Sequence, residues 1–369
     1  MVKNPLYKKI INELSREIGN GTLKVGDKIP TVKEQCQRFG VSHITVLHAC
    51  DELEKAGLIT AQGRRYVVAS KTNDPKRRMK NCLGLLIRPL WPYNGKDIYF
   101  NEINYGIQDE CCVHGISYLT PASVRSLNYY DYLNAISEPD LQRDALAMAD
   151  KVDAFLVDER LSDSFIENLM KRTGKVCVVV NRTTSLPIDA VAPANEQMVN
   201  LLCSTALRYG YTKFVFAVSV YQGASSNTLD RYEGILKFIR NNKLKESDYL
   251  FIRDTMLLQH AAALEEVDRA CKEFGAHEKI AFIATNDSFA RDIVTHFQNK
   301  GVSFCKNIGV AGMDGMLIAG KSPLLATVRT DTEALGRLAV KAFLNRMINE
   351  SDPAQLYSPE PVFVYGETL

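Results

Sequence analysis

From residue 82 to residue 314 the chain alternates short β-rich runs with stretches of helical periodicity. The β-rich runs, in chain order, are CLGLLIRP, VDAFLVD, KVCVVVN, KFVFAVS, IAFIATN and NIGVAGMD. Such repetition predicts parallel sheets with helices packed on both faces. A change of phase near residue 185 predicts two similar lobes. The fold class predicted for residues 82–369 is therefore α/β, a two-lobed body of parallel sheets flanked by helices.

Polar side chains follow several of these predicted strands. Ligands of parallel α/β sheets bind beyond the carboxyl ends of the strands, so these positions are candidates for a binding site. They are Arg88, Trp91, Asn181, Arg182, Asn286, Asp287 and Asp314. Arg231 opens the helical stretch RYEGILKFI, whose N-terminus favours an anion or a hydroxyl acceptor nearby. Trp91, the only tryptophan, is either a platform for the apolar side of a sugar ring or a plain core residue.

The first 70 residues have a different pattern, which begins with three short helices. Apolar residues from Tyr7 to Ile18 recur at helical spacing, and Thr31 with Glu34 forms the reciprocal capping pair that starts a second helix. A third helix, capped by Ser42, buries a stripe that starts at Val46. The residues of this helix that the stripe leaves pointing elsewhere are His43, Ile44, Leu47 and His48.

Two short strands follow the third helix. The runs LIT and YVVA predict a hairpin with its turn at Gln62–Gly63, which displays Arg64 and Arg65. Helix, helix, turn, helix and basic hairpin in about 70 residues describe a winged helix-turn-helix. We predict such a domain over residues 1–70.

Charge is distributed unevenly along the chain. Residues 1–80 hold 16 Lys and Arg against 8 Asp and Glu, whereas residues 81–369 hold 29 against 35. A basic N-terminal part on a mildly acidic remainder is typical of a polyanion-binding module attached to another domain, and a merely solvated basic surface is the alternative. Residues 71–81 are polar, basic and interrupted by Pro75, which predicts a linker. Its basic residues (Lys76, Arg77, Arg78 and Lys80) are candidates for sequence-independent phosphate contacts.

The N-terminal residues resemble the DNA-binding domain of the GntR family of bacterial regulators. The resemblance rests on LKVGDKIPTVKEQCQRFGVSHITVLHACDELEKAGLITAQG and extends from Pro5 to Val68. It implies that Lys33 meets phosphate and that Thr45 and the Gln62–Gly63 turn lie at the groove. The full set of predicted DNA-binding residues is Lys33, Ser42, His43, Ile44, Thr45, Leu47, His48, Gln62, Gly63, Arg64 and Arg65.

Two positions depart from the family pattern. The family often has arginines at the positions of His43 and Leu47, so phosphate and guanine contacts of the usual type are weakened or absent here. An exposed Leu47 or Ile44 can instead pack on a thymine methyl group, and His43 can donate a hydrogen bond. The alternative is that Leu47 merely packs on a neighbouring element.

The remainder of the chain resembles the effector domain of LacI-family repressors, which is itself similar to periplasmic sugar-binding proteins. The residues that carry this resemblance are VDAFLV, VVVNRTTSLPIDAVAPAN, ALRYGYTKFVFAV, RYEGI, FIATND, IGVAGMD and PLLATVRTDTEALGRLA, in that order. It implies that Arg231, Asn286 and Asp314 bind effector hydroxyls, with Asn181 and Arg182 nearby. The predicted effector-binding residues are Arg88, Trp91, Phe100, Asn181, Arg182, Arg231, Asn286, Asp287 and Asp314. Trp91 and Phe100 lie in RPLWPYNGKDIYFNE, which departs most from the family pattern.

The two resemblances together predict a ligand-responsive transcription regulator, similar to arabinose-responsive repressors of the same mixed architecture. It is expected to act as a homodimer on palindromic double-stranded operator DNA, with repression relieved by the ligand. The predicted effector is a monosaccharide or a sugar phosphate bound between the lobes. No cofactor, metal or membrane is predicted as a partner. Nine cysteines at irregular spacing suggest free thiols in a reducing compartment, so the protein is expected to be cytoplasmic.

Two other functional classes are alternatives to this prediction. GMLIAGKS, at Gly315–Ser322, matches the phosphate-binding pattern of nucleotide-hydrolysing enzymes, but Pro323 directly after it disfavours the helix that this loop requires. A solute-binding protein explains the body but not the basic N-terminus. The sequence has no CxxC, HExxH or GxSxG motif, so we expect no enzymatic activity.

Overall fold

The chain divides into two compact units. The computed structural model describes residues 6–19, 21–55, 57–63, 65–69, 80–88, 98–125, 138–219, 226–254, 261–315, 322–349 and 351–369. The units are Met1–Lys80, here called the head, and Asn81–Leu369, here called the body. Most of the predicted linker, residues 71–79, lies outside the described residues.

The head consists of three helices and an antiparallel hairpin. Its elements are α1 (Leu6–Gly19), α2 (Val32–Phe39), α3 (His43–Lys55), β1 (Ile59–Gln62) and β2 (Arg65–Val68). Its buried core draws Ile10 and Leu14 from α1 and Val46, Cys50 and Leu53 from α3. Because residues three, four and seven apart share a helix face, these spacings place α1 directly against α3.

Side-chain caps fix where α2 and α3 begin. Thr31 and Glu34 form the predicted capping box: the Thr31 hydroxyl accepts from the Glu34 N–H at 3.3 Å, and the Glu34 carboxylate accepts from the Thr31 N–H at 2.6 Å. Gly40, at φ 65°, ends α2 in the left-handed conformation that glycine adopts without strain. The Ser42 hydroxyl then accepts from the Thr45 N–H at 3.3 Å, which caps α3 and fixes the turn between the two helices.

The hairpin differs by one residue from its sequence-based prediction. Gln62 pairs with Arg65, so Gln62 ends β1 and the turn begins at Gly63 rather than at Gln62. Gly63 has φ 65°, which suits a tight hairpin turn. Residues before α2 add a third extended segment on the other side of β2: the Ile29 N–H donates to the Tyr66 carbonyl at 2.9 Å, and the Gly26 N–H donates to the Val68 carbonyl at 3.0 Å.

The body begins with one lobe and continues into a second. The elements of the first lobe are β3 (Cys82–Leu86), α4 (Ile98–Val113), β4 (Ser117–Leu119), α5 (Ala122–Arg125), α6 (Glu138–Met148), β5 (Ala154–Asp158), α7 (Asp163–Thr173), β6 (Val176–Val180) and β7 (Ala190–Val191). Those of the second are α8 (Asn195–Arg208), β8 (Lys213–Ser219), α9 (Ser226–Asn241), β9 (Tyr249–Asp254), α10 (Ala261–Phe274), β10 (Ile280–Ala284), α11 (Asp287–Asn299), β11 (Ile308–Asp314) and β12 (Ala326–Arg329). The C-terminal elements are α12 (Thr332–Ile348), β13 (Leu356–Tyr357) and β14 (Val362–Val364).

Each lobe is built around a six-stranded sheet. The first sheet has the order β13-β7-β6-β5-β3-β4, and all of its pairings are parallel. The second has the order β14-β12-β11-β10-β8-β9 and is parallel except for β14, which runs antiparallel to β12. The central strands of the two sheets, β3, β5 and β6 in the first and β8, β10 and β11 in the second, are almost entirely buried, since helices cover both faces. The predicted α/β class is confirmed.

The lobes are not consecutive halves of the sequence. The predicted division near residue 185 falls in a loop of the first lobe, because β7 at Ala190–Val191 still pairs with β6. The chain enters the second lobe only with α8. After β12 it returns, since α12 packs against α4 and β6, and β13 joins the first sheet. It crosses once more to place β14 in the second sheet, so three segments connect the lobes.

All nine cysteines are free thiols. Cys177 and Cys203 are fully buried, and burial raises the pKa of the Cys177 thiol to about 12. Among the residues described, no His, Cys, Asp and Glu side chains group in a way that would hold a metal ion. None of the described helices is long and apolar enough for a membrane span.

Two glycines let α4 and α12 cross at backbone contact. A Cβ added to Gly106 would lie 2.0 Å from the Glu333 carbonyl oxygen, and one added to Gly336 would lie 2.0 Å from the Ile103 carbonyl oxygen. Real Cβ atoms do not approach oxygen so closely. This crossing anchors α12 to the first lobe immediately after the chain has left the second.

Gly336→Ala is expected to lower the free energy of unfolding of the body by about 1–3 kcal/mol, because overpacking forces backbone shifts in a close-packed contact. Urea unfolding followed by circular dichroism measures the loss. Gly234→Ala is the matched control: Gly234 is also a buried helical glycine, but its added Cβ would lie 3.3 Å from the nearest Val199 atom. Equal effects of the two substitutions would contradict the close crossing.

Candidate functional sites

The first candidate site is the exposed surface of α3 in the head. His43 and Ile44 lie in its first turn and are exposed, and 79% of Ile44 is accessible to solvent. Leu47, one turn further, is only half-buried. An isoleucine that is so exposed contributes nothing to the core of the head, so its position suits contact with an apolar group of a partner.

Three other predicted residues of α3 take part in contacts within the head. The Ser42 and Thr45 hydroxyl oxygens are 2.8 Å apart, so part of their hydrogen-bonding capacity serves the cap of α3. The His48 ring packs edge-on against the Tyr7 ring of α1, with ring centroids 4.5 Å apart. His48 therefore joins α3 to α1, a contact that its exposed position on the helix did not predict.

Basic and polar residues of the head flank this surface. Lys33 is exposed in the first turn of α2, and Gln62, Gly63 and Arg65 are exposed in the hairpin. Arg64 lies outside the described residues. In contrast, the Arg38 guanidinium donates to Glu17 at 2.5 Å, an ion pair that joins α2 to α1.

The second candidate site is a cluster of polar side chains where strands of both lobes end. We call it the interlobe cluster, and its members are Arg88, Tyr99, Asp158, Glu159, Asn181, Asn195, Asn227, Arg231, Thr285 and Asp314. The β-strands position most of them directly, because β5, β6, β10 and β11 end at or one residue before a member. Parallel strands bring these ends to the same edge of each sheet.

On the first lobe, Arg88 binds two neighbouring carboxylates. Its Nε and Nη2 atoms donate to the Asp158 carboxylate at 3.2 and 3.3 Å, and Nη2 also donates to Glu159 at 3.0 Å. The Arg88 guanidinium stacks on the Phe100 ring, with Cζ 3.2 Å from the ring centroid. The Asn104 amide donates to the Arg88 carbonyl at 3.1 Å. These contacts hold Arg88 and the two carboxylates in one arrangement, with 4% of the Arg88 side chain exposed.

Asn181 connects the first turn of α4 to Glu159. Its side-chain carbonyl accepts from the Tyr99 hydroxyl at 2.9 Å, and its amide donates to Glu159 at 2.8 Å. Asn181 has φ 67°, a left-handed conformation that asparagine tolerates better than most residues. Burial raises the pKa of the Tyr99 hydroxyl well above its ordinary value, so it donates as a neutral phenol.

On the second lobe, Arg231 of α9 holds the end of β11. Its Nη1 atom donates to the Asp314 carboxylate at 2.8 Å and to the Thr285 carbonyl at 2.6 Å, and its Nε atom donates to the Asn195 side chain at 2.9 Å. Asp314 has φ 141°, which L side chains rarely adopt. Such strained residues concentrate at functional sites.

Asn227 joins the two halves of the cluster. Its amide donates across the lobes to the Asn181 carbonyl at 2.7 Å and to Glu159 at 3.3 Å. Its side-chain carbonyl accepts from the Asn195 amide at 2.9 Å. Hydrogen bonds therefore run without interruption from Asp314 through Arg231 and the asparagines to Glu159.

The pKa values of two carboxyl groups in the cluster, Glu159 and Asp314, are raised. Burial raises the pKa of Glu159 to about 7, although the neighbouring Arg88 and Arg160 favour its ionised form. The adjacent Asp158 opposes ionisation of Glu159 as well. Burial also raises the pKa of Asp314, against the opposing effect of Arg231. Two carboxyl groups that are only partly compensated thus lie on opposite lobes of one cluster.

Only some of the residues predicted to bind effector lie in or contact the interlobe cluster. It brings together Arg88, Phe100, Asn181, Arg231 and Asp314. The predicted platform Trp91 lies outside the described residues.

Arg182, Asn286 and Asp287 have contacts within their own lobes. Arg182 donates to the Leu161 carbonyl at 2.7 Å and pairs with Asp163 at 2.7 Å, which ties its loop to the start of α7. The Asn286 side chain caps α11 by accepting from the Phe289 N–H at 2.7 Å. The buried Asp287 carboxylate accepts from the Thr327 hydroxyl at 2.6 Å.

Six members of the interlobe cluster were not predicted from the sequence: Tyr99, Asp158, Glu159, Asn195, Asn227 and Thr285. Asp158 and Thr285 lie at or directly after a strand end. Glu159 follows β5 directly, so the strand-end argument that selected Arg88 would also have selected it. Asn227 lies one helical turn before Arg231 and shares its face, a spacing that could have indicated it. Asn195 and Tyr99 begin helices and had no comparable signal.

The stability of the body is expected to depend on the ionisation of Glu159. A pKa that is about 7 in the folded protein and 4.5 ordinarily means that the stability contributed by this group is complete below pH 4.5 and is lost as pH rises through about 7. The slope that one such group can contribute is at most about 1.4 kcal/mol per pH unit. Glu159→Gln should flatten this part of the profile in urea unfolding measured between about pH 5 and pH 8.

Glu167→Gln serves as the control for this measurement. Glu167 forms an exposed ion pair with Lys171 on α7, at 3.0 Å, and its loss should leave the slope unchanged. A Glu159→Gln profile that keeps the slope of the unsubstituted protein would contradict the shift assigned to Glu159.

Comparison with known proteins finds a family match within each unit. Residues 6–68 match the gntR family of bacterial regulatory proteins, and residues 205–369 match the periplasmic binding protein-like domain. The HTH-type transcriptional repressor PurR of Photobacterium profundum is 20% identical over 353 residues, which cover 92% of this chain and 98% of the relative.

Solved structures show the same fold as the body. A LacI family transcriptional regulator from Enterococcus faecium with bound ribose has a TM-score of 0.58 at 17% identity, over 78% of this chain and 98% of that one. The lac repressor dimer bound to operator has a TM-score of 0.60 at 14% identity, over 78% of this chain and 93% of that one.

These matches decide between the functional classes. The relatives are transcription regulators and not enzymes. Residues 316–321 of the phosphate-loop pattern lie outside the described residues, and neither matched family is one of nucleotide-hydrolysing enzymes. The chain is a transcription regulator of the LacI/PurR type in which a gntR-family helix-turn-helix domain for DNA binding precedes a periplasmic binding protein-like domain for an effector.

Proposed function

We propose that the protein is a cytoplasmic, homodimeric repressor that binds a palindromic operator and is controlled by a small sugar or sugar phosphate between its lobes. The observation that carries this proposal is the interlobe cluster, in which ionised and amide side chains of both lobes meet at the ends of the strands. Hydroxyl groups both donate and accept hydrogen bonds, so a sugar can replace the partners of such side chains one for one. The relative from Enterococcus faecium was solved with bound ribose.

The cluster also provides a means of control. Asn227 connects the lobes through hydrogen bonds to Asn181 and Glu159, so the arrangement of the lobes depends on which partners these groups have. A ligand that binds one arrangement better shifts the population toward it. Coupling between two sites is typically about 1–3 kcal/mol, which changes operator affinity about 5–150-fold.

Exposed apolar residues support self-association through the first lobe. On α4, 54% of Tyr105 and 71% of Val113 are exposed, and all three residues of the edge strand β4 are exposed, among them Tyr118 and Leu119. Apolar surface of this kind, next to an unpaired strand edge, is typical of an interface between copies. A two-fold dimer presents two heads, which requires an operator with two-fold symmetry.

Arg231→Lys tests the effector site without removing the positive charge. Lysine cannot donate simultaneously to Asp314, Thr285 and Asn195 with the fixed geometry of guanidinium, so effector affinity is expected to fall about tenfold or more. Gel retardation of the DNA upstream of the gene, titrated with a panel of sugars and sugar phosphates, should show retained DNA binding but a weaker response to the ligand.

Arg240→Lys is the matched control, since Arg240 is exposed in the last turn of the same helix. It should respond to the ligand like the unsubstituted protein. Loss of DNA binding in a folded Arg231→Lys variant would contradict the division of roles between head and body. Failure of the unsubstituted protein to retard any fragment of its own upstream DNA at low salt would contradict the proposed repressor.

Ile44→Ala and Lys33→Ala separate base contacts from phosphate contacts in the head. Ile44→Ala should lower affinity by roughly 1 kcal/mol for sites with a thymine at one position, because it removes apolar contact with the methyl group. Lys33→Ala should weaken all sequences alike and reduce the salt dependence of binding. Fluorescence anisotropy with single-base operator variants at two salt concentrations distinguishes them. A uniform loss for Ile44→Ala would contradict its base contact.

A further inference from the structure

Glu159 occupies a particular place in the interlobe cluster. Only 8% of its side chain is exposed. Its carboxylate accepts hydrogen bonds from Arg88 and Asn181 of its own lobe and from Asn227 of the other lobe. It is therefore a carboxyl group that both lobes share. An effector that enters between the lobes must meet it or displace Asn227 from it.

The guanidinium groups near this position are already paired with carboxylates. Arg88 binds both Asp158 and Glu159, and Arg231 binds Asp314. Arg182, which follows β6, pairs with Asp163.

One further carboxyl group, that of Asp230, contacts the cluster through Asn195. Asp230, on the same helix as Arg231, accepts from the Thr183 hydroxyl at 3.4 Å, and burial raises its pKa. Asp230, Asp158, Glu159 and Asp314 together outnumber Arg88, Arg160 and Arg231, the guanidinium groups that act on them.

We propose that Glu159 makes this site selective for an uncharged polyhydroxy effector and against its phosphate ester. The proposal rests on the proposed function and decides between the two effector classes that it leaves open. A phosphate monoester carries between one and two negative charges at neutral pH and requires N–H donors that are not already satisfied by anions. Placed beside Glu159, it would meet like charge at low dielectric when this carboxyl group is ionised, and repulsion there is strong.

A sugar hydroxyl, in contrast to a phosphate, can form favourable hydrogen bonds with the same groups. It donates to the Glu159 or Asp314 carboxylate, and its oxygen accepts from the amides of Asn181, Asn195 or Asn227. The neutral amides that surround the carboxylates match hydroxyl groups without introducing another charge. The chemistry of the cluster therefore favours a neutral sugar or polyol.

Matched pairs of ligands test this selectivity on the full-length protein. Ribose, arabinose, xylose, glucose and fructose are each compared with their 5- or 6-phosphates, and inorganic phosphate is an additional probe. Thermal shift identifies the pairs that bind, and calorimetry gives their dissociation constants. We expect at least one neutral sugar to bind with a dissociation constant about tenfold or more below that of its phosphate ester.

Glu159→Gln should reduce this ratio about tenfold or more, because the neutral amide no longer repels a phosphate. Glu167→Gln, the same substitution at an exposed position of α7, should leave the ratio unchanged. If Glu159→Gln does not fold, the comparison of sugar and ester on the unsubstituted protein still decides the question.

A phosphate ester that binds as tightly as its parent sugar, or more tightly, would overturn the selectivity while leaving the proposed repressor intact. An unchanged ratio in folded Glu159→Gln would overturn the role of Glu159. If neither the sugar nor the ester of any pair binds, the proposed sugar effector is contradicted, and the proposed selectivity fails with it.

Discussion

The arrangement of the body depends on the amide of Asn227, which donates from the second lobe to the Asn181 carbonyl and the Glu159 carboxylate of the first. Each lobe has its own sheet and its own buried core, so neither lobe needs the other to fold its strands. The position of one lobe on the other is then determined by the three connecting segments and by polar contacts such as this one. Hydrogen bonds to a charged group contribute about 1.5–3 kcal/mol, an amount that ligand hydroxyls can replace.

The candidate binding surfaces of the head and the body differ in their chemistry. The head keeps most of its apolar residues in a small core yet leaves 79% of Ile44 exposed on α3, where it can contact a partner. The body instead buries charge, and it compensates that burial by pairing Arg88 and Arg231 with carboxylates. The first arrangement suits recognition of a groove by contact, and the second suits recognition of a small polar molecule by exchange of hydrogen bonds.

The position of a residue in the sequence indicates the strand end at which it lies but not the partner of its side chain. The strand-end argument selected Asn181 and Asp314, which lie in the interlobe cluster, and it selected Asn286 by the same reasoning. Asn286 immediately precedes α11, and its side chain turns back to cap the helix. That cap is itself readable, since an asparagine before an apolar helical pattern is a common N-cap. The contact of Arg182 was not readable either, because its partner Asp163 is contributed by the start of α7.

The sequence by itself determined the local structure and the class of each unit. A capping pair such as Thr31 with Glu34 spans three residues, and the alternation of strands and helices repeats over about thirty. Both are local patterns that can be recognised in the sequence. Only the tertiary structure decided that Glu159, Asn181 and Asn227 meet, because they come from separate elements and different lobes. The return of α12 to the first lobe was hidden for the same reason. Contacts between distant segments depend on how the two lobes pack against each other, and no local sequence pattern indicates this packing.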